Sequence, residues 1–238
     1  MMCSAFTLSG YAMQPVVTLT GGTTTLSAQQ SQTLSFDDTL FEYHPNHTST
    51  QQFIAGGFIG EEYSLNKKWA WQLGLAFYQI TSFSITGNET QAPAENSVAT
   101  NSWNYQYKIS SSQLLVENKL LFALRKRYHP YLLAGVGAAF NHVYGFQATQ
   151  QNSGEVATAN FADNQNSSLI YTLGFGVDID IIKRMRMGIG YRFAYLGKYD
   201  LGKGTLDTGI GGNVFSTPAL HSTNAFNHAV VIQLTYLF

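Results

Sequence analysis

The segment from Val230 to Phe238 alternates between two kinds of side chain. One parity is entirely apolar or aromatic, and the other carries the two polar residues: Val230, Ile232, Leu234, Tyr236 and Phe238 against Val231, Gln233, Thr235 and Leu237. A period of two places each set on its own face of a β-strand. If the larger apolar face of this strand contacts lipid, every strand paired with it must present a similar face.

The composition favours a membrane protein that crosses the bilayer with β-strands over a soluble or disordered chain. Charged residues make up 11% of the 238 residues and aromatic residues 14%, whereas soluble domains contain roughly 25% charged residues and disordered chains contain few aromatics. No apolar run reaches the length of about 18 residues that a membrane-spanning helix needs. The mean hydropathy of −0.07 suits a β-barrel, because half of each strand is polar. A net charge of −1 gives no electrostatic basis for binding nucleic acid.

The first residues resemble the end of a secretory signal peptide. Residues 1–12, with 13 as the outer limit, contain an apolar stretch and then Gly10 and Ala12, which are spaced like a cleavage site. The alternative is an ordinary apolar first strand. Cleavage would remove Cys3 and leave a chain without cysteine, which suits an oxidising periplasm. We therefore expect a signal peptide followed by one barrel domain over residues 14–238.

The rest of the chain divides into strands joined alternately by long polar and short basic connections. The predicted strands cover 16–24, 52–65, 69–85, 103–122, 130–148, 167–182, 186–198 and a last segment ending at Phe238. The short connections fall at 66–68, 125–127 and 183–184. Four long and three short connections predict an all-β fold, an eight-stranded antiparallel up-and-down transmembrane β-barrel with four extracellular loops and three periplasmic turns.

The two faces of the clearest strand differ in size. Leu169, Tyr171, Leu173 and Phe175 share one face of the predicted strand 167–182, and small residues such as Gly174 share the other. A soluble ligand-binding barrel would also alternate. Small side chains nevertheless suit the narrow lumen of eight strands, and large apolar ones suit a lipid-facing band about 25 Å tall.

Two strands depart from a single parity. Glu61 and Glu62 are adjacent, so one of them must leave the lumen near the membrane edge. In the strand 103–122 the large side chains change parity halfway, which predicts a β-bulge within residues 110–112. This assignment also turns Asn118 towards lipid, and the sequence offers no reason for an amide there.

Six charged residues fall on the parity assigned to the lumen: Glu117, Lys119, Asp178, Asp180, Arg186 and Arg192. Buried charges persist when they are paired, and Asp178 and Asp180 lie close to Arg186 across a short turn. We therefore predict a salt-bridged polar network in a plugged lumen. The alternatives are a proton path, a gate or a catalytic site. An open pore is disfavoured, because side chains fill the interior of an eight-stranded barrel.

Catalytic residues are not predicted. His221–Ser222 and residues 47–49 could form a Ser–His site with Asp207 or Asp37. Such a site needs a base within hydrogen-bonding reach of the nucleophile and a group that orients the base, and no spacing in these loops imposes that geometry.

Metal and cofactor sites are not predicted either. His44 and His47 flank residues 45–46, but a metal site needs at least one further ligand. The glycine-rich segment 209–212 lacks the strand-to-helix context of a phosphate-binding loop.

The C-terminal residues Tyr236–Leu237–Phe238, with Gly190–Phe193 and Leu196–Lys198, resemble the last strands of a known group. The chain is similar to the small outer-membrane β-barrels of Gram-negative bacteria, in the opacity-protein and outer-membrane-protein-A-like superfamily. The resemblance implies an outer-membrane location and contact with outer-membrane lipids and lipopolysaccharide. It also implies that Tyr236 and Phe238 form the signal read by the barrel-assembly machinery.

The resemblance says more about architecture than about activity. We expect an integral, non-enzymatic barrel with a structural role or a role in surface contact, in which the loops bind a host or surface ligand. The alternatives are a lipid-modifying barrel enzyme and a narrow channel.

Overall fold

The computed structural model describes residues 13–27, 31–36, 39–46, 51–93, 101–125, 127–150, 159–207, 214–221 and 225–238. These residues form antiparallel strands joined by turns and short irregular segments. Within those ranges no helix has the length and apolarity needed to cross a membrane. The predicted signal peptide, residues 1–12, lies outside the described residues.

The described part of the chain contains thirteen strands. In chain order they are β1 (Met13–Ser27), β2 (Gln32–Phe36), β3 (Thr39–Pro45), β4 (Gln51–Ser64), β5 (Trp69–Pro93), β6 (Asn101–Phe122), β7 (Tyr128–Gln150), β8 (Ala159–Phe161), β9 (Asn164–Ile182), β10 (Met185–Gly197), β11 (Lys203–Asp207), β12 (Val214–Ala219) and β13 (Ala225–Leu237). Eight of them correspond to the eight predicted strands.

The eight long strands close into a ring in the order β1, β4, β5, β6, β7, β9, β10 and β13, and β13 pairs again with β1. A path across paired residues that starts at Val16 returns to β1 at Leu26, ten residues further along the strand. Such a stagger requires the strands to tilt against the barrel axis. The predicted all-β barrel is therefore confirmed.

The outer face of the ring is an apolar band. Leu132, Leu169 and Ile232 are 66%, 75% and 59% exposed, although soluble proteins rarely expose such a continuous apolar surface. At the end that carries the short turns, aromatic pairs border the band: Tyr63 with Trp71, Trp69 with Phe122, and Tyr236 with Phe238. A lipid-facing band with an aromatic border is the exterior of a transmembrane barrel.

The predicted β-bulge in β6 is wrong. Odd-numbered residues of β6 are buried without interruption from Trp103 to Leu121. The extra residue lies instead on the neighbouring strand β5, where Thr81 and Ser82 oppose the single residue Ser110. The aromatic residues at the start of β6 therefore face inwards. Asn118 faces outwards, as expected, and Glu61 faces outwards while Glu62 faces the lumen.

The end of the barrel opposite the short turns, called here the loop end, extends well beyond the apolar band. Crossing a bilayer takes about 9–11 tilted residues, whereas β6 contains 22. The β2–β3 hairpin pairs with the extended part of β5, and β8, β11 and β12 form a separate three-stranded sheet. Segments expected to be irregular, including 87–93, thus contain strands.

Candidate functional site in the barrel lumen

A charged cluster occupies the lumen near the short turns. The Arg186 guanidinium donates two hydrogen bonds to the Glu62 carboxylate, at 2.5 and 3.0 Å, and one from Nε to Asp180 at 3.1 Å. Asp180 Oδ2 also lies 2.9 Å from His129 Nε2, and Gln72 donates to Glu62 at 2.8 Å. The bidentate contact fixes the geometry of the pair.

A second ion pair crosses the lumen just above this cluster. The Lys119 ammonium donates to Asp178 at 2.7 Å and to Gln233 at 2.9 Å, and it lies 3.9 Å from the ring centre of Tyr131. Asp178 is fully buried. Gly188 makes room for it, because a Cβ at that position would come within 2.1 Å of Asp178 Oδ1.

A third group lies nearer the middle of the barrel. The Tyr78 hydroxyl donates to Glu117 at 3.1 Å, and the Arg192 guanidinium lies 4.2 Å from the ring centre of Tyr78. Arg192 Nη2 donates to Gln113 at 2.8 Å. Arg192 thus meets an aromatic face and an amide.

Beyond these three groups most of the interior side chains are apolar, although Ser111, Asn141 and Asn227 are also buried there. Its side chains share near-complete burial, with at most 1% exposure: Ile54, Ile80, Phe83, Ile109, Leu115 and Ile170. Toward the loop end the filling is aromatic, and the ring of Tyr105 stacks on Phe146 at 5.9 Å and meets Tyr43 edge-on at 5.7 Å.

Burial raises the pKa of three tyrosines at the loop end. Desolvation raises the pKa of Tyr107 to about 12. It also raises the pKa of Tyr43, with a further contribution from the charge of Glu89, and the pKa of Tyr105, with a further contribution from Tyr107. Neutral hydroxyls are thereby favoured in this part of the barrel.

All six charged residues predicted for the lumen point inwards. Their partners, however, are not always the charged residues closest to them in the sequence. Arg186 pairs with Asp180, whereas Asp178 pairs with Lys119 across the lumen. The six predicted residues did not include Glu62 and His129, nor the amide and aromatic partners Gln72, Tyr78, Gln113, Tyr131 and Gln233. The alternation in the sequence predicts that these side chains face inwards, but it does not predict which residues of distant strands they contact.

The histidines outside the lumen form other contacts. His221 Nδ1 lies 3.3 Å from Asp200, and the side chain of Asp207 is outside the described part of the structure. His44 Nδ1 lies 3.0 Å from Ser31 Oγ, and its Nε2 lies 3.4 Å from Glu42. The remaining candidates, residues 37, 47–49 and 222, are outside the described residues. Across the described ranges, no three His, Cys, Asp or Glu side chains are grouped as a metal site.

Solved structures with a similar fold are outer-membrane proteins. The outer membrane protease OmpT from Escherichia coli matches with a TM-score of 0.52 at 7% identity over 99% of both chains. The chain has the outer-membrane β-barrel fold. OprG from Pseudomonas aeruginosa (TM-score 0.49, 12% identity, 93% of this chain and 95% of the other) and Neisserial surface protein A (0.42, 12%, 94% and 97%) also match. No protein-family model and no curated protein matches the sequence.

The barrel fold, the closed ring and the apolar band together confirm the predicted membrane-spanning architecture and outer-membrane location. They are consistent with the resemblance to small Gram-negative outer-membrane barrels. One of the similar structures is a protease, so the fold does not by itself decide between an enzyme and a non-enzymatic barrel.

Proposed function

We propose that the protein is a non-enzymatic outer-membrane barrel with a closed lumen, whose loop end is a surface for contact outside the cell. The observation that carries the proposal is the folded extension beyond the apolar band. Strands β5, β6 and β7 continue past the band, the β2–β3 hairpin joins β5, and β8, β11 and β12 form a further sheet. Binding surfaces built on strands are more rigid than those built on loops.

The orientation follows from the usual asymmetry of such barrels, in which short turns face the periplasm and long connections face outwards. Tyr236 and Phe238 then lie at the periplasmic border, where Phe238 N donates to Pro15 O at 3.0 Å. This position suits the proposed role of the two aromatics as the signal for the barrel-assembly machinery. The band itself would contact outer-membrane lipids and lipopolysaccharide.

A closed lumen is supported by the burial of inward side chains at successive levels of the barrel, including Arg186, Lys119, Arg192 and Ile80. Ions crossing the lumen would have to displace paired charges first and then a layer of buried, mostly apolar side chains. Planar-bilayer recordings of the purified protein should therefore show no stable conductance steps. Stable steps would favour a narrow channel and contradict the closed lumen.

The contact role is tested by shortening the loop end. Cells of a non-adherent strain that express the full chain should bind to epithelial cells, and cells expressing a variant in which residues 203–219 are replaced by a short Gly–Ser linker should bind less. Heat-modifiable migration in detergent gels checks that the variant barrel is folded. Equal adhesion by both strains and by the vector control would overturn the contact role.

A second candidate, a surface hydrolase, rests on the arrangement of Ser31, His44 and Glu42. One tautomer of His44 satisfies both contacts, because Nε2–H can donate to Glu42 while Nδ1 accepts the Ser31 hydroxyl proton. This is the order of groups that activates a serine nucleophile. The side chains of His44 and Glu42 are 52% and 43% exposed, however, so the local dielectric is high and activation is weak.

Lipid A and phospholipid chemistry distinguishes the two candidates. Extracts of a strain expressing the wild-type chain should match those of a strain expressing Ser31→Ala in acyl-chain number and composition. A loss of acyl chains that depends on Ser31 would contradict the non-enzymatic proposal and favour the hydrolase.

A further inference from the structure

Asn118 is a polar residue in the middle of the lipid-facing surface. It lies on the outer face of β6, between Val116 and Leu120, which are 49% and 36% exposed. The aromatic border at Phe122 is four residues away on one side. An amide in hydrocarbon is unfavourable unless its hydrogen bonds are made. Its position therefore needs an explanation that barrel stability does not supply.

The side chain of Asn118 satisfies part of its hydrogen-bonding capacity. Its Nδ2 donates to the carbonyl oxygen of Ala134 on β7 at 3.0 Å. A carboxamide has a second N–H and an oxygen with two lone pairs, and the described protein atoms supply no other partner for them. These groups can bind a polar group that arrives from the lipid side.

Asn118 lines an apolar groove on the outer surface of the barrel. The groove has a volume of about 650 Å³ and crosses β6, β7, β9 and β10, within the range of small-molecule sites. It exists because Ala134 is small, while Leu132, Leu173 and Phe175 form its walls. Phe193 and Tyr191 of β10 also line the groove, and the Tyr191 hydroxyl lies 2.5 Å from His228 Nδ1.

We propose that this groove binds the acyl chain of an outer-membrane lipid that carries a hydroxyl group along the chain, and that Asn118 recognises the hydroxyl. The occupant is a lipid because the groove lies within the apolar band, where acyl chains are the surrounding solvent. The hydroxylated chain is selected because it supplies the missing partner of the amide. This inference depends on the membrane-spanning fold and not on the contact role of the loops.

Native mass spectrometry of the purified protein with 12-hydroxystearic acid and stearic acid tests the proposal. The wild-type barrel should retain the hydroxylated acid about fivefold more strongly, the effect of roughly one net hydrogen bond. Asn118→Leu should remove this preference and leave stearic acid binding in place. Ala134→Phe, which fills the groove, should reduce retention of both acids.

The matched control is Ala138→Phe, on the same strand and face but outside the groove, opposite Leu114 and Leu169. It should retain both acids like the wild type. Heat-modifiable migration confirms that each variant is folded. Equal retention of the two acids by the wild type would overturn recognition by Asn118. Unchanged retention by Ala134→Phe would overturn the groove as the binding site.

Discussion

The two halves of the barrel interior follow the same alternation but are filled by different kinds of side chain. Near the short turns, the inward residues are charged and pair across the lumen, as Lys119 does with Asp178. Toward the loop end, most inward residues are aliphatic or aromatic, such as Ile80 and Phe83, and Glu89 is a buried exception. One half depends on hydrogen-bond geometry and the other on packing, so they should respond differently to substitution and to pH.

The largest effect is expected in the charged half. Arg186→Ala leaves the buried Glu62 without its cation and removes one of the two basic partners of Asp180, and breaking a buried ion pair costs about 3–5 kcal/mol. Urea titration of the barrel in lipid vesicles, followed by tryptophan fluorescence, measures the loss. Lys67→Ala, in an exposed turn, should change the free energy of unfolding by no more than about 0.5 kcal/mol. Similar values for the two variants would mean that the ion pairs do not stabilise this half.

Packing should be the main contribution in the apolar half. Ile80→Ala creates a cavity at a fully buried position and should lower the free energy of unfolding by about 3 kcal/mol. Ile59→Ala removes the same atoms from the outer face, where Ile59 is 64% exposed, so lipid can fill the space and the loss should be much smaller. If the outer substitution proved as costly, the apolar half could not be described as a packed core.

Alkaline pH should weaken the loop end in particular. The pKa of Tyr107 is raised by burial from 10.0 to about 12, so its contribution to stability is complete below pH 10 and is lost as the pH rises to 12. The loss at that residue is about 3 kcal/mol. Tyr107→Phe should remove this part of the pH dependence, measured by urea titrations at a series of pH values. An unchanged pH profile would place Tyr107 in contact with water.

The smallest effect tests the boundary between the band and the loop end. Gly145 has a φ of 68° and lies at a register shift between β6 and β7. Gly145→Ala should cost about 1 kcal/mol, because a side chain disfavours this conformation. Gly21→Ala has equal space around it and no positive φ, so it should be close to neutral in the same unfolding assay. A neutral result at Gly145 would show that the irregularity adapts without strain.

The sequence predicted the eight long strands and their inward charges because alternation and the basic turns are local signals. It misassigned the start of β6, because large aromatics were expected to face lipid. That rule holds only within the band. Above it the exterior is water, so Tyr105 and Tyr107 turn inwards, where they are buried.

Partners across the lumen were not predictable for a different reason. The stagger of the ring brings Lys119 of β6 against Asp178 of β9, although Asp178 is far closer in sequence to Arg186. Pairing preferences between distant strands depend on this stagger, which no single segment encodes. The short strands of the loop end were missed because their polar sequences resemble loops.

The pairing of β1 with β13 has a consequence for how the barrel forms. Thr18 and Thr235, joined by a hydrogen bond across this seam, are 217 residues apart in the chain. Contacts this distant form slowly, since the intervening chain must first be ordered. Until they form, both edge strands carry unpaired backbone groups that invite aggregation or pairing with another chain. Closure of the β1–β13 seam is therefore the step of assembly that is most prone to error. A chaperone or assembly factor that holds the two edge strands would act at this step.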